Sequence, residues 1–398
     1  MAFVHTYKPA LEITEKRHIL NYKGVSLVSL VCLGYNNQRN QVVNEKELIM
    51  YEQGVIRPPS EASSLLVRVT RNCPWNQCVF CPAYKGTKFS RRTVEEVKKD
   101  LDNMAKEYAG YPVRTAFLQD GDTLVLKTED VLEVLRYIKQ KFPTIERITS
   151  YARAPTLRKR SVEELKQLKE AGLTRIHVGM ESGSEKVLKM VKKGITQDDI
   201  VVGGKHVKEA GIELSEYIMP GLGGRTLSEE HALETARLLN MVEPDFIRVR
   251  TFAMHPMSPM LKMVENGTFV PMTDEEIVAE IRLLVENLSE MHSYFSCADF
   301  GLNLLMYVDG YLDENKAKML NDLDDYLSLT KEQKQAYSLL RRGSYINYPA
   351  GVVRDEEVMK KVRPEIEKRG KSGKDGFYQY INHLMTYQLP QPQTEEWK

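Results

Sequence analysis

The chain has little cysteine and no long apolar run. Only five of its 398 residues are cysteine, and two of these, Cys32 and Cys297, stand apart from the other three. The apolar stretch Val25–Leu33 is too short to cross a membrane, because a spanning helix takes about 20 residues. The segment Met1–Lys8 also lacks the apolar stretch of a secretion signal. We therefore expect a cytoplasmic protein that does not span a membrane.

An excess of charge of one sign is also missing. The 56 basic and 55 acidic residues leave a net charge of +1. Such a balance gives no overall attraction to nucleic acid or to an anionic membrane surface. The hydrophobic content of 42% and charged content of 28% are ordinary for a soluble globular enzyme. A chain of this length is enough for one large domain with additions, or for two domains.

Three of the five cysteines stand together on one short segment. Cys73, Cys78 and Cys81 occur as Cys-Pro-Trp-Asn-Gln-Cys-Val-Phe-Cys, just after an apolar run. Soft thiolates at this density indicate a soft metal or an iron–sulfur cluster. A cube of four irons held by only three protein sulfurs would leave one iron open to a small molecule.

Zinc, a disulfide and plain burial are the alternative interpretations of this triplet. Structural zinc prefers four protein ligands, and no histidine lies between residues 19 and 176 to complete such a site. A disulfide would need an oxidising compartment, for which the sequence gives no sign. These arguments favour the cluster and leave zinc as the main alternative.

Short β-type runs alternate with amphipathic helical stretches from about Ser64 to Arg250. The β-type runs are Leu65–Thr70, Val113–Leu118, Ile145–Ser150, Arg175–Gly179, Glu213–Met219 and Phe246–Thr251. The helical patterns are Thr93–Tyr108, Glu129–Lys141, Ser161–Ala171, Glu185–Lys192, Gln197–Ala210 and Ser228–Met241. Repeats of this kind imply parallel strands joined by right-handed crossovers. Because a closed eight-stranded barrel takes about 250 residues, these six units predict an α/β fold with a partial (β/α)6 TIM-type barrel.

Three segments are predicted along the chain. Residues 1–60 form an N-terminal extension with a β element around Val25–Cys32, and residues 61–262 form the barrel. Residues 263–398 form a mainly helical region that covers the open side of the barrel, and the polar stretch Phe295–Asn303 is expected to line the substrate space. The helical patterns of this last region are Asp274–His292, Glu314–Leu327, Lys331–Arg341 and Asp355–Lys368. In such barrels, chemistry gathers at the C-terminal ends of the strands, where the cysteine triplet begins.

A cysteine triplet on the loop after the first strand of a strand–helix repeat resembles the radical S-adenosylmethionine (radical SAM) superfamily. The resemblance covers roughly residues 60–262. It implies a [4Fe–4S] cluster held by Cys73, Cys78 and Cys81, with Phe80 beside the adenine of S-adenosylmethionine. Most members have three residues between the first two cysteines, whereas this chain has four, Pro74–Gln77. One bulged residue would absorb that difference.

Further stretches resemble the S-adenosylmethionine-binding motifs of the superfamily. Those at His177–Gly183 and Ile218–Thr226 resemble the branch that includes the tRNA methylthiotransferases and the anaerobic coproporphyrinogen oxidases. The contacts implied by the resemblance are Asp120, Gly121 and Asp122 to the methionine amino group, Ser150 to the ribose, Arg153 to the methionine carboxylate, Glu181 and Ser182 to the ribose or amino acid, and Ile218 and Gly221 on the adenine side.

The resemblance also implies a reaction. The reduced cluster would cleave S-adenosylmethionine to methionine and a 5′-deoxyadenosyl radical, which abstracts hydrogen from the substrate, with flavodoxin or ferredoxin as reductant. The lack of a second cysteine cluster disfavours auxiliary-cluster maturases and sulfur-inserting enzymes, and residues 1–60 are too few for a cobalamin-binding domain. A small-molecule substrate is therefore favoured. The alternatives are a tRNA- or peptide-modifying enzyme and, from another class, an iron–sulfur electron-transfer or sensing protein.

The sequence assigns no catalytic residue, but it offers candidates for substrate contact. Arg248 and Arg250 lie two residues apart and so share one face of the last predicted strand. One of the two is expected to face the barrel and meet an anionic substrate group, and the alternative is a salt bridge inside the barrel. His255 is expected to face the same space. Cys297 is either a hydrogen donor or an inert buried thiol, and the inert thiol is favoured. His177 is either a substrate-side acid or a core histidine, and the core role is favoured.

Overall fold

A sheet of eight strands forms the centre of the described part of the chain in the computed structural model. The structure describes residues 51–386, apart from 55, 344, 345, 347 and 371–375. They belong to the second of two units into which the chain divides, Met50–Lys398. The predicted β element at Val25–Cys32, and with it Cys32, lies outside the described residues.

The strands follow one another across the sheet nearly in chain order. They are β1 (Leu65–Val67), β2 (Thr70–Arg71), β3 (Ser90–Arg91), β4 (Thr115–Leu118), β5 (Arg147–Ala152), β6 (Leu173–Glu181), β7 (Glu213–Ile218), β8 (Phe246–Val249), β9 (Tyr294–Ser296) and β10 (Asp309–Tyr311). The order in the sheet is β1-β4-β5-β6-β7-β8-β9-β10. Neighbours are parallel as far as β9, and β10 is antiparallel to it. Strands β2 and β3 form a separate antiparallel pair that flanks the cysteine loop, residues 72–89.

Helices connect the parallel strands and continue beyond them. They are α1 (Val94–Glu107), α2 (Thr128–Lys141), α3 (Ala154–Lys159), α4 (Val162–Glu170), α5 (Glu185–Met190), α6 (Gln197–Glu209), α7 (Gly224–Val242), α8 (Leu261–Glu265), α9 (Asp274–Asn287), α10 (Leu312–Leu327), α11 (Lys331–Arg342), α12 (Glu356–Gly370) and α13 (Gly376–Thr386). Thr93 and Ser161 cap α1 and α4 through reciprocal bonds with the glutamate three residues on. None of the helices in the described ranges combines the length and the apolar character needed to cross a bilayer.

The predicted fold class is confirmed. The six predicted β-type runs become β1 and β4–β8, and crossover helices join them into an open, partial barrel. The sequence analysis does not find β9 and β10, because three residues each are too few to display an alternating pattern. Strand β9 adds a seventh parallel strand, so the C-terminal region extends the sheet.

His177 lies in the interior of the barrel, which is the core role that the sequence favours. The side chain is fully buried, and its ring lies about 6 Å, centroid to centroid, from the rings of Phe117, Tyr151 and Tyr217. Its Nε2 is 3.3 Å from Oε1 of the buried Glu61. Burial lowers the pKa of His177 to about 4, so the ring is neutral near pH 7.

A buried ion pair attaches the C-terminal helices to one another. Asp274 begins α9 and Arg342 ends α11, and Nη2 of the arginine lies 2.6 Å from Oδ1 of the aspartate. The side chains are only 7% and 1% exposed. Because both charges have left water, each depends on the other for compensation.

Replacing Arg342 should therefore destabilise the protein strongly. We expect Arg342→Met to lower the free energy of unfolding by about 3–5 kcal/mol, since the Asp274 carboxylate is left buried without a partner. Urea denaturation followed by circular dichroism measures the change. The matched control is Lys318→Met, which breaks an exposed pair with Asp322 on α10 and should cost under about 0.5 kcal/mol. Equal losses in the two variants would contradict the importance of the buried pair.

Candidate functional site

A cavity of about 230 Å³ opens at the C-terminal ends of the parallel strands. The cysteine loop forms one wall, and the segments that follow β4, β5, β6, β7 and β8 form the others. This is the edge at which barrels of parallel strands place their chemistry. The fold therefore brings residues that are far apart in sequence to one space.

All three cysteines of the triplet line this cavity. Burial raises the pKa of Cys78 to about 11, and the Lys193 ammonium acts against that rise. Burial also raises the pKa of Cys81, against the opposing effects of the Ala83 amide and the Arg250 guanidinium. The two thiols thus lie beside cationic groups that favour the thiolate, which is the form that binds metal.

The three thiols do not converge on one point. Within the described residues, no three histidine, cysteine, aspartate or glutamate side chains are grouped so that they could hold a single metal ion. The triplet therefore borders a shared space instead of forming a tight coordination shell. A tetrahedral zinc ion, with ligands at about 2.0–2.3 Å, needs such a shell.

Gly121 lies directly against Cys73. A Cβ atom on Gly121 would be 2.9 Å from Cβ of Cys73 and 3.2 Å from its Sγ, too close without a shift of the loop. The Gly121 N–H donates to the carbonyl of Asn72 at 3.4 Å. The bare backbone of Gly121 thus lets the first cysteine approach the end of β4.

Trp75, in the four-residue gap of the triplet, reaches from the cysteine loop to the loop after α5. Its Nε1 donates to the Lys192 carbonyl at 2.8 Å, and its ring fills the place that a Cβ on Gly194 would take. The Arg153 guanidinium lies over the indole, 5.0 Å from its centroid. It also donates to the carbonyls of Lys193 and Gly194 at 3.0 Å. Trp75 and Arg153 together join two loops of the cavity wall.

Glu181 and Lys193 form an ion pair in the same wall. Nζ of the lysine lies 2.9 Å from Oε1 of the glutamate, and 5.8 Å from the centroid of the Phe80 ring. Burial acts to lower the pKa of Lys193, but the charges of Glu181 and Cys78 outweigh it and raise that pKa. The wall thus presents a fixed cation and a fixed carboxylate close to the cysteine triplet.

The two aspartates predicted to bind the methionine amino group do not line the cavity. The buried Asp120 carboxylate accepts hydrogen bonds from Arg68 Nε at 2.7 Å and from the Tyr84 hydroxyl at 3.1 Å. Asp122 accepts one from the Thr156 hydroxyl at 2.6 Å, and its Oδ1 has no partner among the described residues. Burial raises the pKa of Asp122 to about 6. Of the three residues Asp120, Gly121 and Asp122, only Gly121 lines the cavity.

Three more predicted cofactor contacts make internal hydrogen bonds instead of lining the cavity. The Ser150 hydroxyl donates to the next backbone carbonyl at 3.0 Å. The Ser182 hydroxyl lies 2.7 Å from Nδ1 of His231, and the Gly221 N–H donates to Glu280 at 2.7 Å. These residues support the ends of the strands from behind the cavity wall.

Ile218 and Cys297 are core residues. Ile218 is fully buried, and the following residue, Met219, lines the cavity in its place. Cys297 is buried outside the cavity, and burial raises the pKa of its thiol well above the usual range. This is the inert buried thiol that the sequence analysis favours.

The substrate candidates around β8 separate into two groups. Arg250 and His255 line the cavity, whereas Arg248 forms an ion pair with Asp299. His255 is buried, and its Nδ1 accepts the Met257 N–H at 3.0 Å. The sequence left open whether this pair of arginines forms a salt bridge or faces the cavity. In the structure Arg248 forms the salt bridge and Arg250 lines the cavity.

Sequence reasoning misses several cavity residues. Lys193, Tyr217 and Met219 line the cavity, although the sequence analysis does not assign them to it. Alternation along β7 carries a signal for Tyr217 and Met219, because every second residue of a strand faces the barrel interior. Phe300 also lines the cavity, and it lies on an irregular loop within the stretch Phe295–Asn303 that the sequence analysis expects to line the substrate space.

A protein-family model and several curated proteins match part of the chain. Residues 67–237 match the model of the Radical SAM superfamily. The chain is 22% identical over 212 residues to the tRNA uridine(34) acetyltransferase of Methanocaldococcus infernus, covering 53% of this chain and 39% of that protein. It is 29% identical over 225 residues to the tRNA-2-methylthio-N(6)-dimethylallyladenosine synthase of Anoxybacillus flavithermus, covering 53% of this chain and 40% of that protein.

Solved structures also resemble the chain. The coproporphyrinogen III oxidase of Escherichia coli is 18% identical, with a TM-score of 0.46, over 56% of this chain and 52% of that chain. The chain spans about two fifths of the length of the two curated relatives named above.

Substitution of Gly194 should displace Trp75. Because a Cβ atom there overlaps the indole, we expect Gly194→Ala to free the ring and to shift its fluorescence to longer wavelength. The chain has two tryptophans, so the spectrum of Trp75→Phe is subtracted to isolate Trp75. The matched control is Gly110→Ala, which also has positive φ but open space around it. An unchanged Trp75 spectrum in Gly194→Ala would refute the proposed contact.

A buried carboxyl on β7 should make stability depend on pH. Burial raises the pKa of Glu216 to about 8, and its Oε2 has no partner among the described residues. Between pH 4.5 and 8 the unfolded chain releases this proton while the folded chain keeps it, so the free energy of unfolding falls as pH rises. As the pH rises from 4.5 to 8, we expect the free energy of unfolding of Glu216→Gln to increase by about 1–3 kcal/mol relative to that of the wild type. Denaturant titrations at several pH values measure the difference, and a constant difference would contradict the assignment.

Proposed function

Because the chain belongs to the radical SAM superfamily, we propose that it is an enzyme that cleaves S-adenosylmethionine reductively and abstracts hydrogen from a small-molecule substrate. A [4Fe–4S] cluster and S-adenosylmethionine are the cofactors of this superfamily. The observation that carries the proposal is the convergence of three thiols, a Glu181–Lys193 ion pair and Arg153 on one cavity.

The cysteine triplet fits a cluster better than it fits zinc. We propose that Cys73, Cys78 and Cys81 each bind one iron of the cube. A cube takes each thiolate at a different iron, and all three cysteines line the one cavity in which it would bind. A single ion would need ligands that converge, and the described residues offer no such group.

The cavity-lining subset of the predicted contacts is our proposal for S-adenosylmethionine. Arg153 would pair with the methionine carboxylate, because a guanidinium offers two parallel donors to a carboxylate. Glu181 would bind the ribose or the amino acid, and Phe80 would lie against the adenine. Gly121 would leave room for the amino group beside Cys73. Asp120 and the other predicted residues outside the cavity would then support this wall from behind.

Cys73, Cys78 and Cys81 would hold the cluster and Arg153 and Glu181 would hold S-adenosylmethionine, which together would supply the radical chemistry that removes a hydrogen atom from the substrate. The protein's own contribution is to position both molecules and to exclude water. Phe80, Met219 and Phe252 give the cavity an apolar lining for that purpose. An electron from an external carrier such as flavodoxin or ferredoxin is also part of the proposal.

Modification of RNA is the second candidate function. Two of the relatives described above are named for tRNA modification. The small-molecule proposal has the support of the near-neutral chain, which offers no general attraction to a nucleic acid. An electron-transfer or sensing protein is disfavoured, because it needs no set of groups suited to an amino acid.

Anaerobic assay of the reconstituted enzyme tests the proposal. The full chain is loaded with iron and sulfide, reduced with dithionite and supplied with S-adenosylmethionine. We expect methionine and 5′-deoxyadenosine in equal amounts by mass spectrometry. Product no higher than the protein-free background would sink the enzyme proposal. Adding separate small-molecule, RNA and protein fractions of an extract identifies the substrate class by the fraction that stimulates turnover.

Loss of one thiol should abolish cluster binding. We expect Cys78→Ala to lose most of its iron and its absorbance near 400 nm, while circular dichroism shows a folded barrel, because the cube then has too few protein ligands. The matched control is Cys297→Ala, which removes a buried thiol outside the cavity and should keep its iron. Full iron content in Cys78→Ala, or one zinc and no iron in the wild type, would overturn the ligand assignment.

A further inference from the structure

We infer that the cavity contains a subsite for an oxyanion of the substrate, a carboxylate or a phosphate, formed by Arg250 and Tyr217. That the bound molecule is the substrate rests on the proposed function. Anion binding by these two residues is a property of the chain itself and is measured without turnover.

The cavity holds more cationic than anionic side chains. The charged side chains among its described lining residues are Arg57, Lys85, Arg153, Lys193, Arg250 and Glu181. Glu181 neutralises Lys193, and the methionine carboxylate is the proposed partner of Arg153. The cofactors do not remove the remaining excess, because the negative charge of a thiolate-bound cluster is offset by the sulfonium of S-adenosylmethionine. An anionic substrate would balance the cations that are left.

Arg250 is a partly buried cation in the wall with a guanidinium free for a ligand, whereas Arg57 is exposed to solvent and Lys85 donates to the Asn76 carbonyl. Within the described residues it makes no hydrogen bond or ion pair, whereas Arg248, two residues earlier, is bound to Asp299. The ring of Phe300 lies 4.8 Å from the guanidinium and holds it in place by a cation–π contact. The fold thus orients this charge without neutralising it.

Tyr217 provides a second unused donor on the neighbouring strand. It lines the cavity and is 6% exposed, and its hydroxyl has no hydrogen-bond partner among the described residues. The Ser60 hydroxyl lies close enough to act on the phenol, but neither hydroxyl has a partner with good hydrogen-bond geometry among the described residues. Burying a hydroxyl without a partner is destabilising, so a ligand that accepts from this group would recover a lost interaction.

The two donors lie on one side of the sheet. In the register of β7 and β8, Tyr217 pairs with Arg248. Arg250 follows two residues later and therefore faces the same way as Arg248, one step nearer the mouth of the barrel. Arg250, Tyr217, Tyr151 and Cys81 line the same cavity, and the charge of Arg250 acts on the other three.

This arrangement matches a single oxyanion on a small molecule. A guanidinium fork and a phenolic hydroxyl together offer three donors, which suits a carboxylate or a phosphate. Because Tyr217 is almost fully buried within the barrel, the bound group must enter the cavity.

Anion titration of the cluster-reconstituted full chain tests the subsite without reductant. Inorganic phosphate and malonate are titrated by calorimetry at constant ionic strength. We expect saturable binding to the wild type and, for Arg250→Gln, an affinity about tenfold or more lower, since a charge-assisted hydrogen bond is lost. Arg250→Lys should fall between the two, and Tyr217→Phe should weaken binding severalfold. The control Arg57→Gln, which removes an exposed cation of the same cavity, should bind as the wild type does.

The outcomes separate the sources of the anion. The anion that binds the wild type more tightly, and loses affinity in Arg250→Gln, indicates the group on the substrate. Tighter phosphate indicates a phosphate, and tighter malonate indicates a carboxylate. The inference would be overturned by equal affinities in wild type and Arg250→Gln, by an equal loss in Arg57→Gln, or by no saturable binding. Displacement of the anion by a short RNA would overturn the small-molecule carrier. Because no reductant is present, a failed 5′-deoxyadenosine assay leaves this result unaffected, and a failed titration leaves that assay unaffected.

Discussion

The buried ion pair between Arg68 and Asp120 fixes the cysteine loop on the sheet, and the geometry of the cavity depends on it. Arg68 follows β1 and Asp120 follows β4, so their 2.7 Å contact joins the ends of two neighbouring strands. The Tyr84 hydroxyl donates to the same carboxylate from the other end of the loop. Breaking such a buried pair costs about 3–5 kcal/mol. Gly121, the next residue, lies directly against Cys73, where a Cβ atom would be too close.

The electrostatics of the cavity follow from the position of that loop. Burial disfavours thiolates at Cys78 and Cys81, whereas Lys193 and Arg250 favour them. Metal binding releases the thiol protons, so cations beside the sulfurs stabilise a bound cluster and keep its ligands in place. Glu181 neutralises only the lysine. The charge that remains on Arg250 serves a second purpose, because a cation that stabilises thiolates also attracts an anionic substrate.

The barrel could be predicted from the sequence because its signals are local. Alternating strands, helix caps such as Thr93, and the spacing of the cysteines each depend on neighbouring residues, and each appears where it was expected. The positions of individual side chains depend on tertiary partners and could not be predicted in this way. Asp120 and Asp122 stand in the right motif, but Arg68 and Thr156 bind them away from the cavity. No local pattern reveals which carboxylate a distant arginine will take.

The fourth residue in the first cysteine gap has a structural explanation of the same kind. Asn76 adopts a φ of 46° and donates from Nδ2 to the Tyr84 carbonyl at 2.6 Å, which closes the cysteine loop on itself. Trp75 then extends away from the loop to the Lys192 carbonyl. Neighbouring residues of the gap thus make contacts in different directions, Asn76 within the cysteine loop and Trp75 to the loop after α5. The result is an indole that covers Arg153 and restricts the mobility of the group proposed to hold the methionine carboxylate.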